Sequence, residues 1–288
     1  MRLGYVGTGN MGARFVERLL KAGHQVVAYD RSTEALAPLL AQGAEAGESP
    51  AAIAADTEAV FVSLPTPAIV EAVATEVVDA LPAGHVFVDM STSPPELARK
   101  IAAACEAKDA FGLDAPVSNG GVFVTVGGPQ EVFEYLLPAF EAMCERVLYV
   151  GPAGQGQVAK LTRQYVSFTG FFTLVEALLV AAKAGGDVRA VADFIGESTG
   201  YRGPGGSLAR LFDGDFGDPA TSRAKLDIVA KDLALSVALA DDLGAPSGTG
   251  AVATDVLRRG QELGWGELEY WVAVRALEQQ AGVELRPD

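Results

Sequence analysis

Cysteine and histidine are nearly missing from this 288-residue chain, which holds two of each. Cys105 and Cys144 form no CxxC pair, which removes a dithiol redox motif and a thiolate zinc site and makes a reducing compartment the simpler expectation. His24 and His85 are too few for a multi-histidine metal centre. Each also abuts a predicted strand rather than a loop, which argues against a Ser-His-Asp engine, and no metal site is expected. Positive charge is scarce: 22 Lys and Arg stand against 37 Asp and Glu, a net charge of −15. Such a chain repels nucleic acid and anionic membrane surfaces, so neither is an expected partner. Any site for an anionic small molecule must bring its own cations and backbone donors. Long apolar runs are missing too. The most membrane-like stretch, residues 166–182, is interrupted by Glu176 and falls short of the roughly 20 apolar residues of a membrane span. It predicts a buried helix. Met1 and Arg2 lead straight into an apolar strand with no secretory pattern, and the expected location is cytoplasmic.

What is present is enough for a core: 49% of residues are hydrophobic and 20% charged. The length suggests two domains. In the first half, short β-branched runs at 3–6, 26–29, 60–64, 86–89, 111–114, 122–126 and 147–150 alternate with helical segments, the first of them at 11–22. That alternation predicts a mainly parallel sheet covered on both faces. The second half changes character. Residues 156–184 hold no proline and one interior glycine, Gly170, and predict a helix roughly 43 Å long. Further helices are expected at 188–195, 224–243, 250–263 and 269–281, with Gly and Pro clustered at 200–207 and 214–219. The boundary is placed at the glycine cluster 151–154, giving domains 1–153 and 154–288.

Val6 runs into Gly7-Thr8-Gly9-Asn10-Met11-Gly12, a GxGxxG between a strand and a helix. Gly7 permits the turn, Gly9 lets backbone approach a pyrophosphate, and Gly12 lets helix and strand pack closely, while the helix N-terminus offers N–H groups to phosphate. Asp30 ends the next strand, where an acid binds adenosine ribose hydroxyls. Arg31 follows, placed to meet the 2′-phosphate of NADP, and Ser32 completes this group. NAD or NADP is the expected cofactor, with NAD favoured because Asp30 disfavours the extra phosphate.

The second site opens at Gly151-Pro152-Ala153-Gly154-Gln155-Gly156 and reaches Lys160. Gln164 lies four residues on, on the same helical face. A lysine there can give a proton to a carbonyl oxygen as hydride arrives, and take it back in reverse, once burial or a second cation lowers its pKa from about 10.4. By spacing alone an exposed structural lysine is the better reading. Arg163, one turn from Lys160, is placed to anchor a carboxylate, with a solvated charge as the plainer alternative. Arg202, Arg223 and Lys225 read as surface charges. Trp265, Tyr270 and Trp271 read as core or interface rather than cleft.

Taken together, the segments resemble the beta-hydroxyacid dehydrogenase family. The marks are the glycine motif ending Asn10-Met11-Gly12, Ser63-Leu64-Pro65, Asp89-Met90-Ser91-Thr92, Asp114-Ala115-Pro116-Val117-Ser118, the stretch from Gly151 to Lys160, and Lys231-Asp232-Leu233. They fall in family order over essentially the whole chain. The resemblance implies a Rossmann domain followed by an all-α domain, joined by a long helix, with the active site between them. It implies Lys160 as catalytic lysine and Gln164 as its amide neighbour. Ser118 and Gly120, with Asn119 between them, fall where substrate is held. Leu64, Pro65 and Thr92 line the cofactor, and Lys231 lies near both. Two departures stand out. Gln164 replaces the usual asparagine. Ser118-Asn119-Gly120-Gly121 runs almost directly into Val122, several residues short of the usual loop, with Asn119 where a glycine is common.

These readings converge on an NAD(P)-dependent oxidoreductase acting on a small 3-hydroxy acid or its aldehyde-acid, in a homodimer or larger homo-oligomer. Two rivals stand beside it. An imine reductase of a related branch is opposed by Lys160 and kept open by the short loop. A dinucleotide-binding module without catalysis is opposed by the lysine–amide pair.

Overall fold

The computed structural model describes residues 1–222 and 224–286. The chain forms two compact units, Met1–Lys160 and Leu161–Asp288. The division falls inside the long helix, a little after the glycine cluster where the sequence placed its boundary.

In chain order the first unit runs β1 (Arg2–Val6), α1 (Asn10–Lys21), β2 (Gln25–Tyr29), α2 (Thr33–Leu40), β3 (Glu45–Ala46), α3 (Pro50–Asp56), β4 (Ala59–Val62) and α4 (Pro67–Ala80). It continues with β5 (Val86–Asp89), α5 (Pro95–Glu106), β6 (Phe111–Asp114), β7 (Val117–Ser118), β8 (Phe123–Gly127), α6 (Gln130–Met143) and β9 (Arg146–Gly151), and ends in the first turns of α7 (Gln155–Lys183). The sheet order is β3-β2-β1-β4-β5-β6-β8-β7, with β9 on β8. From β3 to β6 every pairing is parallel, the order of the doubly wound dinucleotide-binding fold. The central strands read as continuous apolar runs because both faces are covered. One face packs on Phe15, Leu19, Phe61, Leu136 and Phe140, the other on Ile53, Val62, Val77 and Phe87.

The β3 strand and the β7–β8 hairpin were not expected from sequence. β4 also stops at Val62 rather than at residue 64, because Ser63 and Leu64 turn away into the loop before α4. Thr66 caps that helix from its side chain.

The second unit holds the rest of α7, then α8 (Val188–Thr199), α9 (Ser207–Phe212), α10 (Leu226–Asp242), α11 (Gly248–Glu262), a 3₁₀ turn (Tyr270–Ala273) and α12 (Val274–Ala281). α8 is capped by Asp187 and ended by Gly200 in the left-handed conformation, a stop only glycine takes without strain. Tyr270 and Trp271 lie in the core, Tyr270 edge-on to Phe168, Phe171 and Trp271, as the sequence suggested. Lys225 pairs with Glu267 and Arg202 with Asp193, both as surface charges; Arg223 lies outside the described residues.

α7 corrects one expectation. Its inward face, from Phe168 to Leu179, is buried, but Val166 is 67% exposed and Val180 70% exposed. The helix is half-buried within its own chain, because neighbouring helices cover only one of its sides.

Candidate active site

The glycine turn after β1 has the geometry its spacing requires. Gly7 sits at φ 91°, where an added Cβ would overlap the Ser63 carbonyl, and a Cβ on Gly12 would overlap the Gly7 carbonyl. Gly9 is different: a Cβ there would meet nothing within 4 Å. Gly9 is also the N-cap of α1 and gives no side-chain cap. The first N–H groups of α1, at Asn10, Met11 and Gly12, have no carbonyl of their own helix to bond and no side-chain cap, and they lie at the positive end of a helix dipole.

Asp30 closes the turn from β2. Its Oδ2 accepts from Thr8 N at 2.7 Å and its Oδ1 from Ser32 N at 2.9 Å. Ser32 in turn caps α2. Sequence placed Asp30 against a ribose; the structure adds that it braces the cradle. Arg31 is exposed beside it.

Leu64, Pro65 and Thr92 lie on the loops after β4 and β5. Leu64 N donates to Ser91 Oγ at 2.9 Å, tying the two loops together. Pro65 is exposed and Thr92 half-buried.

Ser118 ends β7 and pairs with Phe123 at the start of β8, and the four residues between them turn at Asn119-Gly120. Both turn residues have positive φ, 51° and 66°, and Gly121 N returns to Ser118 O at 3.1 Å. Asn-Gly is the pair that such a hairpin turn selects, so the short loop is a closed hairpin and Asn119 has a backbone reason to stand where it does. The hairpin rests on α1, with Gly121 against Phe15 and Met11. Arg18 donates to Met143 O and to Gly121 O, and the Arg14 guanidinium lies beside Gly120. These two cations sit one turn apart on α1 and supply the local positive charge that an acidic chain needs here. Sequence reasoning missed them; their i, i+4 spacing was the available signal.

Lys160 meets this hairpin. It is 7% exposed, and its Nζ donates to Val117 O at 2.6 Å and lies 3.5 Å from Ser118 Oγ. The exposed-lysine reading is thus set aside. The glycines before Lys160 explain the approach: a Cβ on Gly156 would overlap the Asp114 carbonyl. Asp114 accepts from Gly154 N and Gln157 N, each at 2.7 Å. Burial lifts its carboxyl to about 6, against the pull of those two N–H groups.

In the second unit, Gln164 Oε1 accepts from Arg163 at 2.7 Å and its Nε2 donates to buried Asp232 Oδ2 at 2.7 Å. Asp232 Oδ1 lies 3.0 Å from Lys231 Nζ. Arg163, Gln164, Asp232 and Lys231 thus form one polar chain carrying two cations and one anion. Burial lowers the Arg163 guanidinium pKa, with the nearby Tyr270 and Asp232 opposing. Asp232 was legible only as part of a motif.

Residues 2–151 match the family model described as the NAD binding domain of 6-phosphogluconate dehydrogenase, and residues 154–277 that described as NAD-binding of NADP-dependent 3-hydroxyisobutyrate dehydrogenase. The 2-(hydroxymethyl)glutarate dehydrogenase of Eubacterium barkeri is 30% identical over 99% of this chain and 97% of its own. A solved structure of Mycobacterium tuberculosis 3-hydroxyisobutyrate dehydrogenase with L-serine superposes with a TM-score of 0.86 at 27% identity, over 96% of this chain and 98% of that one. An imine reductase from Streptomyces aurantiacus is more distant, with a TM-score of 0.63 at 20% identity over 96% and 99%, a likeness of fold alone.

A doubly wound nucleotide fold followed by a helical unit, with these matches, defines a nicotinamide-dependent oxidoreductase of hydroxy acids. The chain belongs to the beta-hydroxyacid dehydrogenase family. The open space over Gly9 and the uncapped α1 N-terminus fit the pyrophosphate of NAD or NADP.

Proposed function

We propose that this enzyme interconverts a 3-hydroxy acid and its aldehyde-acid, with Lys160 as the proton carrier. The observation that supports it best is the meeting of Lys160 Nζ with Val117 O and Ser118 Oγ, a buried amine beside the hairpin that the resemblance assigns to substrate. When bound, the nicotinamide takes or supplies the hydride. Lys160 takes the hydroxyl proton during oxidation and returns it to the carbonyl oxygen during reduction. The N–H groups of α1 hold the pyrophosphate; Asp30 braces them and faces the ribose. Leu64, Pro65 and Thr92 line the remaining cofactor. Ser118 and Gly120 hold the substrate carboxylate, with Arg14 as neighbouring cation. Gln164 is held by Arg163 and Asp232 and presents a fixed amide edge one helical turn beyond Lys160.

The substrate we favour is larger than 3-hydroxyisobutyrate. The closed hairpin at Asn119-Gly120 leaves no further loop to wall that side of the site. Arg163 and Lys231 supply charge for a second carboxylate, and the Eubacterium barkeri relative is named for a dicarboxylic acid. The test is kcat/KM for 3-hydroxyisobutyrate, L-serine and 2-(hydroxymethyl)glutarate with both cofactors. The diacid should lead by about tenfold or more, a difference of about 1.4 kcal/mol, and Arg163→Met should erase that lead. A steep optimum at three or four carbons would contradict the larger substrate while leaving the reaction class in place. Turnover of cyclic imines without turnover of any hydroxy acid would contradict the class.

We also infer a homo-oligomer built through the second unit. Val166 and Val180 are exposed on one face of α7, and an apolar groove along that face is lined by Val166, Gly170, Thr173, Ala177 and Ile195. A cytoplasmic location fits two cysteines that are both free and buried.

A further inference from the structure

Hydride and proton must reach the two ends of one C–O bond, about 1.2–1.4 Å long. The backbone beside the nicotinamide and the amine that carries the proton therefore need a fixed separation. A buried side chain joins the two. Gln157 is 0% exposed and stands three residues before Lys160 on α7. Its Oε1 accepts from Ser93 N at 3.0 Å, and its Nε2 donates to Ser91 O at 2.9 Å. A single amide thus grips the peptides on both sides of Thr92.

The surroundings leave this amide little freedom. Its own backbone N–H donates to Asp114, which fixes the first turn of α7 against β6. From below, Asp89 Oδ1 accepts from Ser91 N at 2.8 Å and Oδ2 from Ser93 Oγ at 2.9 Å. Ser91 Oγ passes the constraint to Leu64 through its N–H. The geometry calls for one donor and one acceptor on one planar group, which an apolar residue or a carboxylate does not offer.

We propose that Gln157 is a positioning residue, setting where Lys160 stands relative to the Thr92 loop so that the proton carrier and the nicotinamide-facing backbone move as one piece. This rests on the reading of Lys160 as proton carrier. Gln157 does not touch substrate; it acts through α7 and the Thr92 loop.

The test compares Gln157→Met, Gln157→Glu and Lys160→Ala with wild type, reading kcat, KM, NAD(P)H dissociation by fluorescence and melting temperature. Gln157→Met should lower kcat about 10–100-fold, the scale of a ~1 Å misplacement of reacting groups. NAD(P)H affinity should stay within about threefold, since the α1 cradle is untouched.

Gln157→Glu supplies a readout that packing alone would not move. The new carboxylate cannot donate to Ser91 O. It would share Ser91 and Ser93 with the Asp89 carboxylate of β5, near which Tyr5 of β1 lies. The other charged groups packed around this turn are Asp114 of β6 at the Gln157 backbone, Arg99 of α5 by Gly154 and Lys160 on its own helix. Protonation of the new carboxylate is therefore easier than that of a free glutamate, and the protonated acid again offers one donor and one acceptor. Relative to wild type, kcat of Gln157→Glu should recover as pH falls from 9 to 6.

A pH-independent ratio, or wild-type kcat in Gln157→Met beside an inactive Lys160→Ala, overturns the proposal and leaves the Lys160 reading standing. Wild-type turnover in Lys160→Ala removes that reading and this one with it. If Gln157→Met melts below the assay temperature, the pH profile of Gln157→Glu decides.

Discussion

The Asp114 carboxylate accepts the Gln157 backbone N–H at 2.7 Å, while the Gln157 side chain reaches away to the loop after β5. A helix that begins on a buried carboxylate brings its own pH dependence. Burial raises Asp114 to about 6, and Asp89 adds to the rise. The unfolded value is near 3.9. Between about pH 4 and 6 the folded chain therefore holds a proton that the unfolded chain has released, and stability falls as pH rises through that window, then levels off. The contribution is about 3 kcal/mol. Urea unfolding at pH 4 and pH 7.5 should show Asp114→Asn gaining on wild type by up to that amount. A constant difference between the two proteins would contradict this.

Cofactor choice rests on two adjacent residues of opposite sign. Asp30 is pinned by Thr8 and Ser32 and cannot swing away from a 2′-phosphate, so NAD should be used at least as well as NADP. Arg31, exposed beside it, offers the compensating charge. Arg31→Ala should cut kcat/KM for NADP about 5–10-fold, the scale of one charge-assisted hydrogen bond, with NAD changed less than about twofold. Equal loss with both cofactors would mean that Arg31 only braces the loop.

Much of this was legible in the sequence, and the failures have physical causes. The GxGxxG turn was readable because each glycine answers a separate steric demand. The mainly parallel sheet covered on both faces followed from the strand–helix alternation, while the strand order came from the structure. The β7–β8 hairpin was missed although Asn119-Gly120 carries the strongest short signal for one, since the segment was read as a loop shortened against a family pattern. Asp30 was assigned to a ligand and turned out to hold its own chain as well. Gln157 had no sequence signal: a glutamine in the first turns of a helix looks the same whether it faces solvent or clamps a buried loop. The extent of α7 was clear from its lack of proline, but its half-burial was not, because its hydrophobic residues nearly encircle it.

That exposed face of α7 sets the expectation for assembly. Contiguous apolar surface on one helix is the usual mark of an interface. Light scattering at micromolar concentration should give a dimer or larger species, and Val166→Asp combined with Val180→Asp should shift it toward monomer without unfolding the first unit. A wild-type monomer would contradict the homo-oligomer.

Steady-state kinetics of Lys160→Ala show whether Lys160 carries the proton. Removing a general acid–base group costs about 10²–10⁴-fold in rate. The variant should lose kcat by that factor on the best hydroxy acid, with NAD(P)H dissociation within about twofold of wild type, since the pyrophosphate is held by the α1 N-terminus and not by Lys160. Wild-type-like turnover in the variant would contradict it.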